Sequence, residues 1–159
     1  LQTMTFYRPI IIVILWSSTP HDGIINNIRV IEKRFLNSIP KVIQHYQACD
    51  LYIHTTVAET FGLVICEAMA CGAPVVSTDA GGIPELIREA ETGYTISIGD
   101  DEQMVKQILE LMADPGKLTK MGDNASKTVR TEYSLERMTD NYIDLYNALI
   151  HENKTRLVD

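Results

Sequence analysis

Three short β-rich runs, "DLYIH" (50–54), "PVVST" (74–78) and "GYTIS" (93–97), alternate with helical patterns through turns marked by glycine and proline. This alternation limits the possible folds more than any other feature. Strands separated by helices pair in parallel through crossovers, and the crossing helices cover both faces of the sheet. The expected class is therefore α/β, a Rossmann-like three-layer α/β/α domain with a mostly parallel sheet. Upstream, "PIIIVILW" (9–16) is continuously apolar, as a central parallel strand covered on both faces would be. "NIRVIEKRF" (27–35) reads as a second strand, and "PKVIQHYQAC" as a helix opened by Pro40. "FGLVICEAMAC" (61–71) reads as the next helix, and "GGIPELIRE" as a turn and a short helix. From Asp101 three helical patterns follow, expected to cover one face and edge of the sheet. The last has Ser134 as its N-cap and an apolar stripe, Met138, Tyr142, Leu145, Tyr146 and Leu149, expected to pack on the core, the alternative being that an exposed part of it is an interface with a further domain.

A length of 159 residues suits one domain. It is expected over 1–151, with a frayed polar tail over 152–159. A hydrophobic share of 45% and a charged share of 22% exclude disordered and collagen-like classes. The net charge of −7, with basic residues scattered, argues against a nucleic-acid partner, which needs a basic patch. Three cysteines without a CxxC pair suggest neither a disulfide framework nor a zinc site, so a reducing, cytoplasmic setting is expected and no metal. The run Ile10–Trp16 is too short to cross a bilayer; membrane contact is otherwise left open. The chain begins at Leu1 rather than Met, which fits a processed protein or part of a longer one.

Ligands of such sheets sit beyond the carboxyl ends of the strands, where helix N-termini point free amides. "HTTVAETFG" (54–62) falls there. Phe61, Gly62, Leu63 and Val64 bring first-turn amides without intrahelical partners, suited to an anion or to sugar hydroxyls. Gly62, lacking a Cβ, lets a ligand approach the backbone. Glu67 stands roughly 7 Å further along the helix axis, in reach of a second subsite. It is a lone carboxylate on an apolar face, and burying it unpaired costs several kcal/mol. A pair of ribose hydroxyls would satisfy it; so would an ion pair with Arg88 or Lys41, or a cap on a neighbouring loop. Glu59, just before the helix, either faces a reacting sugar or complements the helix dipole. His54, just before the loop, could reach a phosphate or acceptor, but a lone histidine at a strand end reads more readily as a hydrogen-bonded structural residue; His45 and the cysteines read as structural.

Together, "ETFGLVICE" and "EAMACGAPVVSTDAGGIPELI" closely resemble the signature of family 4 glycosyltransferases, retaining enzymes of the GT-B fold. Glu59 and Glu67 stand in the family's E-x7-E arrangement, and the likeness runs from His45 through "TGYTI" to "YSLERMTDNYIDLYNALI". The resemblance implies the C-terminal, donor-binding half of an enzyme that moves a sugar from a nucleotide-diphospho-sugar, UDP- or GDP-linked, to an acceptor hydroxyl with retention. It implies that Glu67 holds the nucleotide ribose. Glu59 would face the transferred sugar as the catalytic carboxylate, in an electrostatic role. Phe61, Gly62, Leu63 and Val64, with Gly81 and Gly82 of "GGIPE", would contact the sugar and diphosphate. Glu85 fits a helix start better than catalysis. No cofactor or metal is implied.

Departures from the family pattern lie upstream. The strand, Gly-rich turn and Arg/Lys pair that clamp the diphosphate find no counterpart before His45: Arg8 and Lys33 are poor substitutes, and "WSSTP" (16–20) replaces a glycine-rich turn. "RFLNSIP" lacks a glycine near the base-binding loop. The N-terminal acceptor-binding half is missing, so the chain alone is expected not to catalyse transfer. The alternative is a non-catalytic binding or assembly module that keeps fold and motif; a nucleotide-sugar epimerase fits the motif less well.

Overall fold

The structure, a computed structural model, describes residues 11–14 and 18–156. In chain order its elements are β1 (Ile11–Ile14), β2 (Asp22–Ile25), β3 (Ile28–Glu32), α1 (Ile39–Ala48), β4 (Tyr52–His54), α2 (Leu63–Ala70), β5 (Val75–Thr78), α3 (Ile83–Leu86), β6 (Gly93–Ile96), α4 (Asp101–Met112), α5 (Pro115–Glu132) and α6 (Leu135–Arg156).

The α/β class expected from the alternation is present. β4, β5 and β6 form a parallel sheet in that order, registered Tyr52 to Val75 and Val75 to Gly93. β5 is central and wholly buried. Its successive valines point to opposite faces, as strand geometry requires. Val75 enters a core with Ile65 and Met69 of α2, Ile83 and Leu86 of α3, and Ala125 and Val129 of α5. Val76 enters a second core with Ile96, Met104 and Leu111 of α4, and Leu118 and Met121 of α5. Helix α5 serves both layers because its buried positions, Leu118, Met121, Gly122, Ala125, Thr128 and Val129, recur at helical spacing. The helices start where short polar side chains catch first-turn amides. Asp100 accepts from Gln103 N at 3.0 Å and Asp114 from Lys117 N at 2.9 Å, while Ser134 Oγ accepts from Arg137 N at 3.1 Å as its N-cap role requires.

Four expectations need correction. The strands do not form one sheet: β1, β3 and β2 make a separate sheet, in that order, with β1–β3 parallel and β2–β3 antiparallel. β1 is not covered on both faces, since Ile11 to Ile14 keep 38–49% of their surface; the rest of 9–16 lies outside the described residues. The strand expected over 27–35 is shorter and is the second arm of a hairpin. Asn26 and Asn27 turn it, both at positive φ (49° and 66°), which asparagine tolerates better than most residues. Finally, the α6 stripe does not pack on this core: Met138, Tyr142, Leu145, Tyr146 and Leu149 are all about half exposed. An amphipathic pattern marks a face that can be buried, not the surface that buries it. The tail expected over 152–159 falls in the end of α6 and beyond the described residues.

Candidate functional site

The site expected from the sequence lies at the carboxyl end of β4 and the start of α2. The helix begins at Leu63, two residues later than the sequence suggests, because Gly62 adopts a left-handed conformation (φ 94°) as its N-cap. A side chain there would be strained, so the glycine sets the entry angle of the helix. The amides of Ile65 and Cys66 both donate to the Gly62 carbonyl, at 2.9 and 3.2 Å. Those of Leu63 and Val64 therefore precede the first intrahelical bond and face outward as donors. Leu63 is exposed, Val64 half-buried, and the Phe61 ring meets Tyr133 edge-on at 5.9 Å.

Gly81 and Gly82, in the turn between β5 and α3, sit directly under this loop. A β-carbon on Gly81 would overlap the Glu59 carbonyl, and one on Gly82 would overlap that of Thr60. The glycines thus let two backbones meet, and Gly81 also holds a positive φ of 54°. Thr78 Oγ1 fastens the same loop, accepting from Thr56 N at 3.0 Å and donating to Thr56 O at 2.6 Å. The Glu59 carboxylate above them is 28% exposed. Its Oε1 accepts from Thr60 N at 2.9 Å, and its Oε2 lies 3.8 Å from His54 Nε2.

Glu67 departs from its expected setting. It is exposed, because α2 buries the face carrying Ile65, Ala68 and Met69 and leaves Leu63 and Glu67 outside. No desolvation penalty demands a partner. Arg88 pairs instead with Glu132, at 2.5 and 2.7 Å, and no Lys41 ion pair is present among the described residues. The one protein hydrogen bond to the Glu67 carboxylate among the described residues comes from the Tyr46 hydroxyl, 3.4 Å from Oε2. Glu67 edges a groove of about 750 Å³ between α1 and α2, lined on its far side by Phe35, Leu36 and Ile39. Arg130 closes its end and donates to the Ala70 carbonyl at 3.2 Å.

Three residues of this region escaped the sequence reading as a group. Tyr46, Tyr52 and His54 form a column beneath the two glutamates. Tyr46 meets Tyr52 edge-on at 5.5 Å, and Tyr52 stacks on His54 at 6.0 Å. Burial foremost, then neighbouring Tyr52 and Glu67, holds the Tyr46 phenol well above its usual range. Burial pushes Tyr52 up to about 12. Both phenols are protonated at neutral pH, as tyrosines ordinarily are, and burial carries their titration further from it. The alternation Tyr52-x-His54 puts two polar aromatics on one strand face, which was the available signal. Burial also pushes the Cys49 thiol up to about 11 and raises Cys66 and Cys71, in keeping with small apolar roles. Among the described residues, no group of three or more His, Cys, Asp or Glu is placed to hold a metal ion, and no helix is long and apolar enough to cross a membrane.

Residues 28–128, from β3 into α5, match the family described as "Glycosyl transferases group 1". The chain belongs to that family. Among similar curated proteins, N-acetyl-alpha-D-glucosaminyl L-malate synthase of Bacillus anthracis is 33% identical over 120 residues, 76% of this chain and 32% of that protein. Lipopolysaccharide core biosynthesis mannosyltransferase LpcC of Rhizobium leguminosarum bv. viciae is 36% identical over 121 residues, 76% of this chain and 34% of that protein. The chain thus spans about a third of the length of these relatives. Among solved structures, Anabaena Alr3699/HepE in complex with UDP superposes with a TM-score of 0.69 at 30% identity, over 76% of this chain and 32% of that one. The C-terminal domain of the group 1 family protein LpcC from Francisella tularensis gives 0.62 at 29% identity, over 67% of this chain and 55% of that one. The group 1 chain has the Rossmann-like fold of the C-terminal half of a GT-B glycosyltransferase.

Proposed function

We propose that this group 1 domain is the donor-binding half of a retaining glycosyltransferase that uses a nucleotide-diphospho-sugar and acts only together with an acceptor-binding half. The observation that carries the reading is the pairing of an open α2 N-terminus with an outward carboxylate, Glu67, on the rim of the α1–α2 groove. The groove's volume of about 750 Å³ lies in the range of small-molecule sites. On this reading the base enters the apolar end by Leu36 and Ile39, and the ribose hydroxyls donate to Glu67. The diphosphate meets the amides of Leu63 and Val64, with Gly62, Phe61, Gly81 and Gly82 around the sugar. UDP bound to HepE, and UDP-glucose in a second HepE complex, support a UDP-sugar as the first donor to test.

Transfer then requires the acceptor oxygen to bond to the anomeric carbon as the bond from that carbon to the diphosphate oxygen breaks. The departing nucleoside diphosphate takes the acceptor's proton. Positive charge develops on the sugar ring, and Glu59, in a partly shielded loop, stabilises it electrostatically. The domain binds its donor without a metal or cofactor on this reading, and its setting is the cytoplasm. One observation favours the rival, an assembly module: α6 leaves a long apolar stripe uncovered.

Calorimetric titration of UDP, GDP and ADP into the chain decides between them. One nucleotide is expected to bind, and Glu67→Ala to weaken it about tenfold to a hundredfold, the loss of a charged hydrogen bond. No binding by the folded chain at millimolar nucleotide would favour the assembly module.

A further inference from the structure

His54 Nε2 is buried and has no hydrogen-bond partner among the described residues. An unpaired buried ring nitrogen costs roughly 1–3 kcal/mol, and a group of that kind usually has a partner in some state of the molecule. The polar atom across from it is Glu59 Oε2, 3.8 Å away. The other ring nitrogen, Nδ1, lies 3.3 Å from the Tyr52 hydroxyl. The Tyr52 hydroxyl, protonated at neutral pH as any phenol is, can donate to Nδ1. In the neutral imidazole that leaves the proton on Nε2, facing the carboxylate. The opposite tautomer would set a nitrogen lone pair against the negative oxygen.

The surroundings fix the ring and leave the carboxylate adjustable. Ser77 Oγ donates to the His54 carbonyl at 2.9 Å, tying the strand end to β5, and the ring stacks on Tyr52. Among the described residues, the Glu59 carboxylate accepts one hydrogen bond, from Thr60 N to Oε1. A shift of roughly 1 Å brings Oε2 to the length of a charge-assisted hydrogen bond, about 2.7–2.9 Å.

We propose that His54 is the positioning residue of Glu59: its Nε2–H takes up Oε2 and fixes the carboxylate toward the transferred sugar. This rests on the donor-half reading for the identity of what Glu59 faces. The column gives the arrangement its reach. Tyr46, at the far end, donates to Glu67, so both glutamates of the E-x7-E pair lean on one packed aromatic stack. The ribose end and the sugar end of a donor are then held at a fixed separation.

The experiment compares UDP with UDP-glucose on wild type, His54→Leu and His54→Gln, with the ring tautomer read by nitrogen-15 NMR. His54→Leu is expected to weaken UDP-glucose about tenfold while UDP is unchanged, because UDP lacks the sugar that Glu59 addresses. His54→Gln, which keeps an N–H donor, is expected to recover most of the loss. Equal loss for both ligands would mark a merely structural residue and overturn the proposal, as would no loss for either. The ring is expected as the Nε2–H tautomer, with resonances that move in Glu59→Gln; an Nδ1–H tautomer, or resonances blind to Glu59, overturns it without any ligand. Should wild type take up neither ligand, the donor-half reading fails, and the tautomer decides on His54 alone.

Discussion

The two sheets of this domain both carry apolar strands and end in opposite conditions. Val75 and Val76 of β5 are fully buried, whereas the four residues of β1 keep 38–49% of their surface. The difference lies in the connections between strands. After β4, β5 and β6 come α2, α3 and α4, and with α5 they close over both faces of their sheet. After β2 comes only the two-asparagine turn into β3. Hydrophobicity selects residues for burial, but connection topology supplies the cover. The family match starts at β3 and ends in α5, so it takes in the whole of the covered sheet but only β3 of the open one.

The largest effect expected from this contrast is in the core of the second sheet. Met69 of α2 is fully buried, and Met69→Ala is expected to cost about 2–5 kcal/mol. Ile12→Ala, in β1, is expected to cost about 1 kcal/mol or less. Urea denaturation of both variants measures the contrast directly. Similar losses would break it, showing that β1 is covered in solution by something beyond the described residues.

An intermediate effect is expected where the core meets the site. Gly81→Ala places a β-carbon against the Glu59 carbonyl at a positive φ, and about 1–3 kcal/mol of stability should be lost. Amide resonances of Glu59 and Thr60 should move more than those of the β2–β3 hairpin. A neutral result would mean that the Glu59 loop stands off the β5–α3 turn, and the site would then be as loosely held as the hairpin.

The second sheet was legible in the sequence because each element is bounded by residues with one structural use. Pro40, Asp100, Pro115 and Ser134 all stand at helix starts, as their chemistry requires. The hairpin was not, since Asn26-Asn27 lacks the glycine that usually signals such a turn. In the site, the glutamates and the open helix start could be read off, but not their exposure. α2 is apolar nearly all round, so periodicity could not tell which face turns inward, and Glu67 came out exposed. The His54–Tyr52–Tyr46 column spans a strand and an earlier helix: Tyr52-x-His54 signals two polar aromatics on one strand face, but no local spacing announces their contact with Tyr46.

The smallest effect expected belongs to the hairpin and sharpens the contrast from its weaker side. Arg29 lies opposite Ile24, diagonal to Asp22 across the strand pair, and donates to both Asp22 oxygens, at 2.9 and 2.7 Å. That hydrogen bond, above all, holds the Asp22 carboxyl below its ordinary value of 3.8. A carboxylate whose pKa is lower in the folded state stabilises the fold fully above its ordinary value, and the contribution is lost as pH falls through the lowered one. Both groups are exposed, so salt screens the pair and the effect on global stability should be slight. A carbon-detected titration of Asp22 should show the lowered pKa in wild type and its return toward 3.8 in Arg29→Gln, while amide exchange quickens along β2 and β3 alone. Exchange that quickens in β4, β5 and β6 as well would mean that the two sheets unfold as one unit, and the division between a covered sheet and an open one would not extend to their stability.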